Sequence, residues 1–275
     1  LTPVLAPNAT YCTDVGNRYF AGAAAQRPPG DCGPLPNVTT FSINPSYTTI
    51  IDFNSSAAGT FLHADPADAL ANMDGLGQAT LVLEPATGPY RTNLTAVNLA
   101  NARIDCNGNM LNSTRSTLGI GILIIGSANV TVRNCTFQGF SKGILANSAS
   151  NLTVTDSTFT SIIGNGIVVG DSSNILLARN RFLGANYRDI EISNNRADGS
   201  VSSRGFQVIN NSFKSGVGAS IYVVENIPDS SPTVTDGLIE GNFLNFTPGG
   251  ASSSENGIVL ARGVGNFTIR NNVIM

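Results

Sequence analysis

The sequence has no tryptophan, one histidine and two lysines among its 275 residues. The absence of tryptophan removes the usual aromatic platform on which sugar rings stack. Because His63 stands alone, no histidine-based catalytic set or metal site can be assembled. Lys142 and Lys214 cannot form a basic patch, and the net charge is −3. We therefore predict no nucleic-acid binding.

Long apolar runs and recognisable cofactor motifs are also missing. The longest apolar stretch, 120–125, is far shorter than the ~20 residues that cross a bilayer, so we predict no membrane span. No basic and apolar leader precedes Leu1, which predicts a processed mature chain. Because no phosphate-binding loop or metal-ligand spacing occurs, we predict neither a cofactor nor a metal.

The second half of the sequence contains a repeat. Six runs with alternating apolar residues begin 22, 23, 31, 30 and 31 residues apart, and a second short apolar strand accompanies each of them. The runs are 129–137, 151–159, 174–182, 205–213, 235–243 and 266–274. Two or three strands in 22 residues leave no space for a crossover helix. The period therefore predicts stacked coils whose equivalent strands pair in parallel.

Each run ends in a polar corner and a large apolar residue. Asparagine tolerates the left-handed backbone of a sharp corner, and its amide can bond to the next coil. The predicted corner ladder consists of Asn134, Asp156, Asn180, Asn210, Asn211, Asn242, Asn271 and Asn272. The predicted inner apolar ladder consists of Phe137, Phe159, Phe182, Phe213, Phe243 and Ile274.

These repeats and corners resemble the right-handed parallel β-helix of the pectate-lyase-like superfamily, over roughly residues 64–275. The resemblance implies an all-β solenoid that begins with a short capping helix at about 66–74. Asp65, Pro66 and Gly75 supply the start and stop signals of that helix. An irregular extension, 1–63, precedes it. Because the superfamily includes lyases, hydrolases, esterases and passive fibres, the resemblance implies no particular activity.

The cysteines and sequons favour a secreted protein. We expect two disulfides, Cys12–Cys32 and Cys106–Cys135. Cys106 and Cys135 fall at equivalent places in successive coils, close enough for a disulfide, and two buried thiols are the alternative for that pair. Sequons in the repeats can arise from corner composition alone, whereas those before the coils indicate glycosylation. The predicted glycan sites are Asn8, Asn37, Asn54, Asn93, Asn112, Asn129, Asn151, Asn210, Asn245 and Asn266, and Asn134 is expected to be bare.

Catalytic candidates are few. Asp189 and Glu191, beside Arg188, are the one local pair of carboxylates at strand spacing, as a glycosidase would need, but an arginine-paired strand face would have the same sequence. Otherwise the outward positions of the second strand are apolar, which indicates a covered or partner-facing row. The row consists of Leu123, Leu145, Val168, Tyr222 and Val259.

Two functions follow from these observations. In the first, the chain is a secreted structural subunit that binds copies of itself through its last coil, where Phe267, Ile269 and Ile274 would be exposed, and builds an extracellular fibre or surface layer. In the second, it is a polysaccharide lyase or glycoside hydrolase whose site is built from the loops 194–204, 226–236 and 245–256.

Overall fold

The computed structural model describes residues 40–43, 60–63, 67, 70, 79–83, 88–113, 119–194, 203–214, 218–225, 234–245 and 256–275. These residues form strands β1–β25, arranged in three sheets. The first sheet contains β1 (Thr40–Ile43), β2 (Thr60–His63), β3 (Ala79–Leu83), β6 (Ala102–Asp105), β9 (Thr131–Arg133), β12 (Thr153–Thr155), β15 (Ser173–Ala178), β18 (Ser203–Ile209), β21 (Val234–Glu240) and β24 (Val264–Arg270). The second contains β4 (Tyr90–Arg91), β7 (Met110–Asn112), β10 (Thr136–Gln138), β13 (Thr158–Thr160), β16 (Arg181–Leu183), β19 (Ser212–Lys214), β22 (Phe243–Asn245) and β25 (Val273–Ile274). The third contains β5 (Leu94–Val97), β8 (Ile120–Ile125), β11 (Lys142–Asn147), β14 (Asn165–Gly170), β17 (Arg188–Asn194), β20 (Ala219–Glu225) and β23 (Asn256–Leu260).

Each coil visits the third, first and second sheets in turn, and every strand pairs in parallel with its equivalent one coil away. Pairing is residue for residue, as between Ile144, Ile167 and Ile190 in the third sheet. This confirms the predicted all-β solenoid of stacked coils. The apolar side chains that alternate along the strands meet inside and form one continuous core.

The N-terminal region supplies the first strands of the first sheet. Strands β1 and β2 lie within the predicted extension 1–63, yet β1 pairs with both β2 and β3 in the first sheet. The run TTIIDF at 48–53 also predicts a strand, and it lies outside the described residues. The capping helix at 66–74 is not supported, since all but Ala67 and Leu70 of that segment lie outside them too. Leu70 is buried in the core and Ala67 packs against it.

The inner apolar ladder is confirmed for four aromatic residues. Phe137, Phe159, Phe182 and Phe213 stack with ring centroids 4.8, 4.8 and 4.9 Å apart, and all four are buried. The prediction for Phe243 was wrong. Leu244 pairs with Phe213 and is buried, whereas Phe243 is 38% exposed.

The error at Phe243 has its cause in the corner that precedes the strand. The second corner residue in these coils is an asparagine that points inward, and the next inward side chain comes two residues later. Phe182 therefore follows Asn180, and Leu244 follows Asn242. The run 235–243 (TDGLIEGNF) is therefore offset by one residue from the repeat, and its inward position is Leu244 instead of the closing Phe243.

Each of these corners is built from two residues with different tasks. The first has a positive φ and faces outward, as in Asn134 (53°), Asp156 (55°) and Asn210 (54°). The second is inward, and Asn180, Asn211, Asn242 and Asn272 form the buried ladder. The side-chain oxygen of Asn211 accepts from the backbone N–H of Asn180 (2.9 Å), and its nitrogen donates to the Leu177 carbonyl (2.8 Å). The ladder thus pairs backbone groups that the bend would leave unbonded.

Asn134 is not part of this buried ladder, contrary to prediction. It is half-buried at the outward position, and its amide donates to Asp105 (3.4 Å). The inward position of that corner is Cys135, which is joined by a disulfide to Cys106 with the Cα atoms 4.8 Å apart. Both cysteines are buried. The Cys12 and Cys32 pair lies outside the described residues.

Replacing both Cys106 and Cys135 by serine should lower the free energy of unfolding by about 3–4 kcal/mol. The bond closes a loop with a sequence separation of 29, and the chain-entropy relation gives this magnitude. Urea denaturation of the double variant and of the parent chain measures the difference. A parent chain that lost no stability on reduction under denaturing conditions and refolding would contradict the expectation.

Candidate functional site

The outer face of the third sheet changes character along the solenoid. Leu123 and Leu145 are half-buried and Val168 is 7% exposed, and they pair in register across β8, β11 and β14. The next residues of the same row are Glu191 and Tyr222, followed by Val259. The row is therefore apolar and largely covered at one end and polar in the middle.

A cluster centred on Arg188 occupies the polar part. Its guanidinium donates to Glu191 Oε2 (2.8 Å) and to the Tyr187 hydroxyl (3.0 Å). The same group lies over the Tyr222 ring at 3.7 Å and over the Tyr187 ring at 4.4 Å. Asn165 of the preceding coil donates to Glu191 Oε2 at 2.7 Å. The charge of Arg188 is thus balanced by Glu191 and sheltered between two aromatic faces.

Asp189 is buried, whereas Glu191, which was predicted to share its strand face, is half-buried. Alternation fails at the start of β17, where both Asp189 and Ile190 are buried. The carboxylate of Asp189 accepts from the Ala185 backbone N–H (3.1 Å) and from Ser220. Burial raises the pKa of Asp189 to about 7, although these two hydrogen bonds act in the opposite direction. Neither of these partners is a partner of Glu191, which is bound by Arg188 and Asn165.

Sequence reasoning found Arg188 and Glu191 but missed Tyr187 and Asn165. Tyr187 is 53% exposed in the connection before β17, and no strand periodicity reaches it. Asn165 is equivalent to Arg188 in the neighbouring coil. Its role was detectable by aligning the third-sheet strands one below another.

Other charged side chains link successive coils. Asp105 accepts from Arg133 of the next coil (2.6 Å) and from Arg103 (3.0 Å). Arg179 makes two 2.8 Å bonds to Asp156, and the hydrogen bonding lowers the pKa of Asp156. Arg270 likewise donates to Glu240, as a further cross-coil pair, at 2.9 Å. Most of these ion pairs join neighbouring coils.

The remaining predicted residues fall into distinct environments. Among the sequons, Asn93, Asn129, Asn151, Asn210 and Asn266 are exposed, Asn112 and Asn245 are half-buried, and Asn8, Asn37 and Asn54 lie outside the described residues. In the last coil Phe267 is half-buried, Ile269 is 46% exposed and Ile274 57%. Of the loops assigned to an enzyme site, 195–202, 226–233 and 246–255 lie outside the described residues.

The described part of the chain offers no group of three or more acidic, cysteine or histidine side chains placed to hold a metal ion. Nor does it include a helix with the length and apolarity needed to cross a membrane.

Comparison with known proteins gives two similar solved structures and one family match. Two solved structures of the surface protein and adhesin PfbA from Streptococcus pneumoniae are similar to the chain. The first is 14% identical over 72% of each chain, with a TM-score of 0.43. The second is 12% identical over 69% of this chain and 59% of that one, with a TM-score of 0.39. No curated protein matches the sequence. The family model described as a right-handed β-helix region matches residues 96–274, well over half of the sequence, and the chain therefore belongs to the right-handed β-helix family.

Proposed function

We propose that the chain is a secreted structural β-helix whose charged outer side chains hold neighbouring coils in register. The observation that carries this proposal is the state of the carboxylates. Every acidic side chain of the described residues has a partner, and Asp105, Asp156 and Glu240 use theirs to bridge coils. A general acid or nucleophile needs a carboxylate that can reach the substrate, whereas Asp105, Asp156 and Glu240 are bound to arginines of neighbouring coils.

The ion pairs between coils suit a structural rod of stacked coils. Exposed ion pairs contribute only about 0–1 kcal/mol each, so the core and the buried ladder supply most of the stability. The ion pairs act along the axis of the solenoid, because each pair holds one coil over the next. Each coil of such a solenoid contacts only its neighbours, so its stability depends on the contacts between successive coils.

Secretion is the second element of the proposal. A disulfide between buried cysteines is typical of proteins that fold in an oxidising compartment. Exposed sequons at Asn93, Asn129 and Asn266 would be accessible to glycosylation there. Both features support an extracellular role.

Self-assembly through the last coil stays a prediction. Val273, Ile274 and Met275 are 49–62% exposed, and a second copy stacked on this coil would bury them and pair its strand edges. A further coil of the same polypeptide would do the same.

The decisive experiment incubates the purified secreted chain with neutral and uronate-containing polysaccharides and images it by electron microscopy. We expect no new reducing ends, no unsaturated products and, at high concentration, end-to-end filaments. Steady degradation of any polymer, in a chain that stays monomeric, would overturn the structural proposal.

A polysaccharide-acting enzyme is the second candidate, favoured by the Arg188 cluster alone. Glu191, Tyr187 and Arg188 combine a carboxylate, an exposed ring and a cation on one face. In the sequence, the segments 195–202 and 226–233 follow strands β17 and β20 of the third sheet, and 246–255 precedes its strand β23. If degradation is seen, Glu191→Gln should abolish it, while the matched Asp156→Asn variant on the first sheet should retain it.

A further inference from the structure

A second, exposed asparagine ladder runs along the corner between the third and first sheets. Asn129 Nδ2 donates to Asn101 Oδ1 (2.9 Å), Asn151 Nδ2 to Asn129 Oδ1 (2.8 Å) and Asn174 Nδ2 to Asn151 Oδ1 (3.1 Å). All four residues have φ between 52° and 56° and are exposed. The ladder is therefore one continuous, solvent-facing chain of side-chain amides.

The two middle rungs are sequons and the two outer rungs are not. Asn129 is followed by Val130 and Thr131, and Asn151 by Leu152 and Thr153. The two threonines pair directly in the first sheet and face outward, away from the buried Val130 and Leu152. Both sequons thus present an asparagine and a hydroxyl on one accessible corner.

The ladder leaves the correct hydrogen of each amide free for a glycan. Asn151 accepts from the coil on one side through Oδ1 and donates to the coil on the other side through Nδ2. The donated hydrogen is therefore the one anti to the carbonyl. A glycosylated asparagine is a trans secondary amide, which keeps that hydrogen and replaces the other. A sugar can be attached to a rung while its ladder bond stays intact.

The spacing of adjacent rungs is small compared with the width of such a group. Asn129 and Asn151 belong to neighbouring coils, whose strands are ~4.8 Å apart. A branched N-linked glycan is several sugar rings wide, and both attachment bonds leave the same corner in the same direction. We infer that Asn129 and Asn151 form one shared glycosylation site, which carries a single N-linked glycan in each secreted molecule.

Asn266 provides an internal comparison at the same corner. Its amide donates to Asp236 (2.5 Å), the equivalent residue of the preceding coil, which cannot be glycosylated. Strands β15, β18 and β21 separate its coil from that of Asn151, a distance of roughly 19 Å at the same spacing. The occupancy of Asn266 is therefore independent of Asn129 and Asn151.

The inference rests on the proposed secretion and glycosylation. The experiment distinguishes failure of the shared site from failure of glycosylation itself. The full chain is secreted from a eukaryotic host as the parent and as Thr153→Val, which removes the Asn151 sequon but keeps the ladder side chain. Occupancy at Asn93, Asn129, Asn151 and Asn266 is measured by mass spectrometry after enzymatic deglycosylation in heavy-oxygen water.

In the parent, the occupancies of Asn129 and Asn151 should together not exceed one glycan per molecule. Thr153→Val should shift occupancy to Asn129 and leave Asn266 unchanged, and Thr131→Val should shift it to Asn151. Molecules with glycans on both rungs, bare rungs beside occupied Asn93 and Asn266, or an unchanged Asn129 in Thr153→Val would overturn the shared site. Absence of glycan at all four positions would overturn the proposed glycosylation itself.

Discussion

Phe159→Asp should prevent the chain from folding. The ring of Phe159 is 1% exposed and stacks at 4.8 Å on both Phe137 and Phe182. Loss of a buried phenylalanine costs about 3–5 kcal/mol, and an unpaired carboxylate in its place adds several more. The sum approaches or exceeds the 5–15 kcal/mol by which a typical domain is stable. Secretion yield and the far-ultraviolet circular dichroism spectrum of any recovered protein measure the outcome.

Phe243→Asp is the matched control. Phe243 closes a sequence repeat as Phe159 does, but it is 38% exposed and Leu244 takes the inward position. An exposed substitution of this kind should cost little, and the variant should fold. Soluble, folded Phe159→Asp protein, or two variants that fail alike, would refute the assignment of the inner ladder.

Asp189→Asn should stabilise the chain at pH 8 by up to roughly 4 kcal/mol, because burial raises the pKa of Asp189 from 3.8 to about 7. Below pH 4 the carboxyl is protonated in both the folded and the unfolded state. Between about pH 4 and 7 only the unfolded state ionises, so the parent chain loses stability as the pH rises. Above 7 the loss is complete. Asparagine keeps an acceptor for the Ala185 N–H and removes the ionisation.

Urea denaturation at pH 4, 6 and 8 tests this expectation, with Asp156→Asn as the control. Arg179 lowers the pKa of the exposed Asp156, so that variant should be slightly less stable than the parent near neutral pH. If Asp189→Asn had no effect on the pH dependence of unfolding, Asp189 would be ionised in the folded chain and its burial would be incorrectly described.

The repeats predicted the fold because two features of the sequence, the apolar alternation and the corner residues, both indicate stacked coils. The inside positions of Val130, Leu152, Ile175 and Phe206 follow from that period, and all four are buried. The error at Phe243 arose from aligning the runs by their last large residue. The inner corner asparagines, Asn180 and Asn242 among them, are the better reference, since their amides must meet specific backbone groups in each coil.

The candidate site could be predicted only in part. Regular alternation would put Arg188 and Glu191, three residues apart, on opposite faces of the strand. Their pairing and the burial of Asp189 therefore both depend on a local break in strand alternation, which the sequence does not reveal. Tyr222 comes from the next coil, 31 residues beyond Glu191, and reaches Arg188 only because the two strands lie in register. Contacts of this type depend on how successive coils stack, so they cannot be predicted from the sequence of one run alone.

The buried asparagine ladder also gives the solenoid a direction of construction. The backbone N–H of Asn180 is bonded by Asn211, that of Asn211 by Asn242, and that of Asn242 by Asn272, always by the later coil. During synthesis, each new coil therefore leaves one donor open that only the next coil to emerge can close. The coils would therefore form one after another, in the order in which the ribosome releases them. A pause in translation would hold the unfinished corner exposed for just as long.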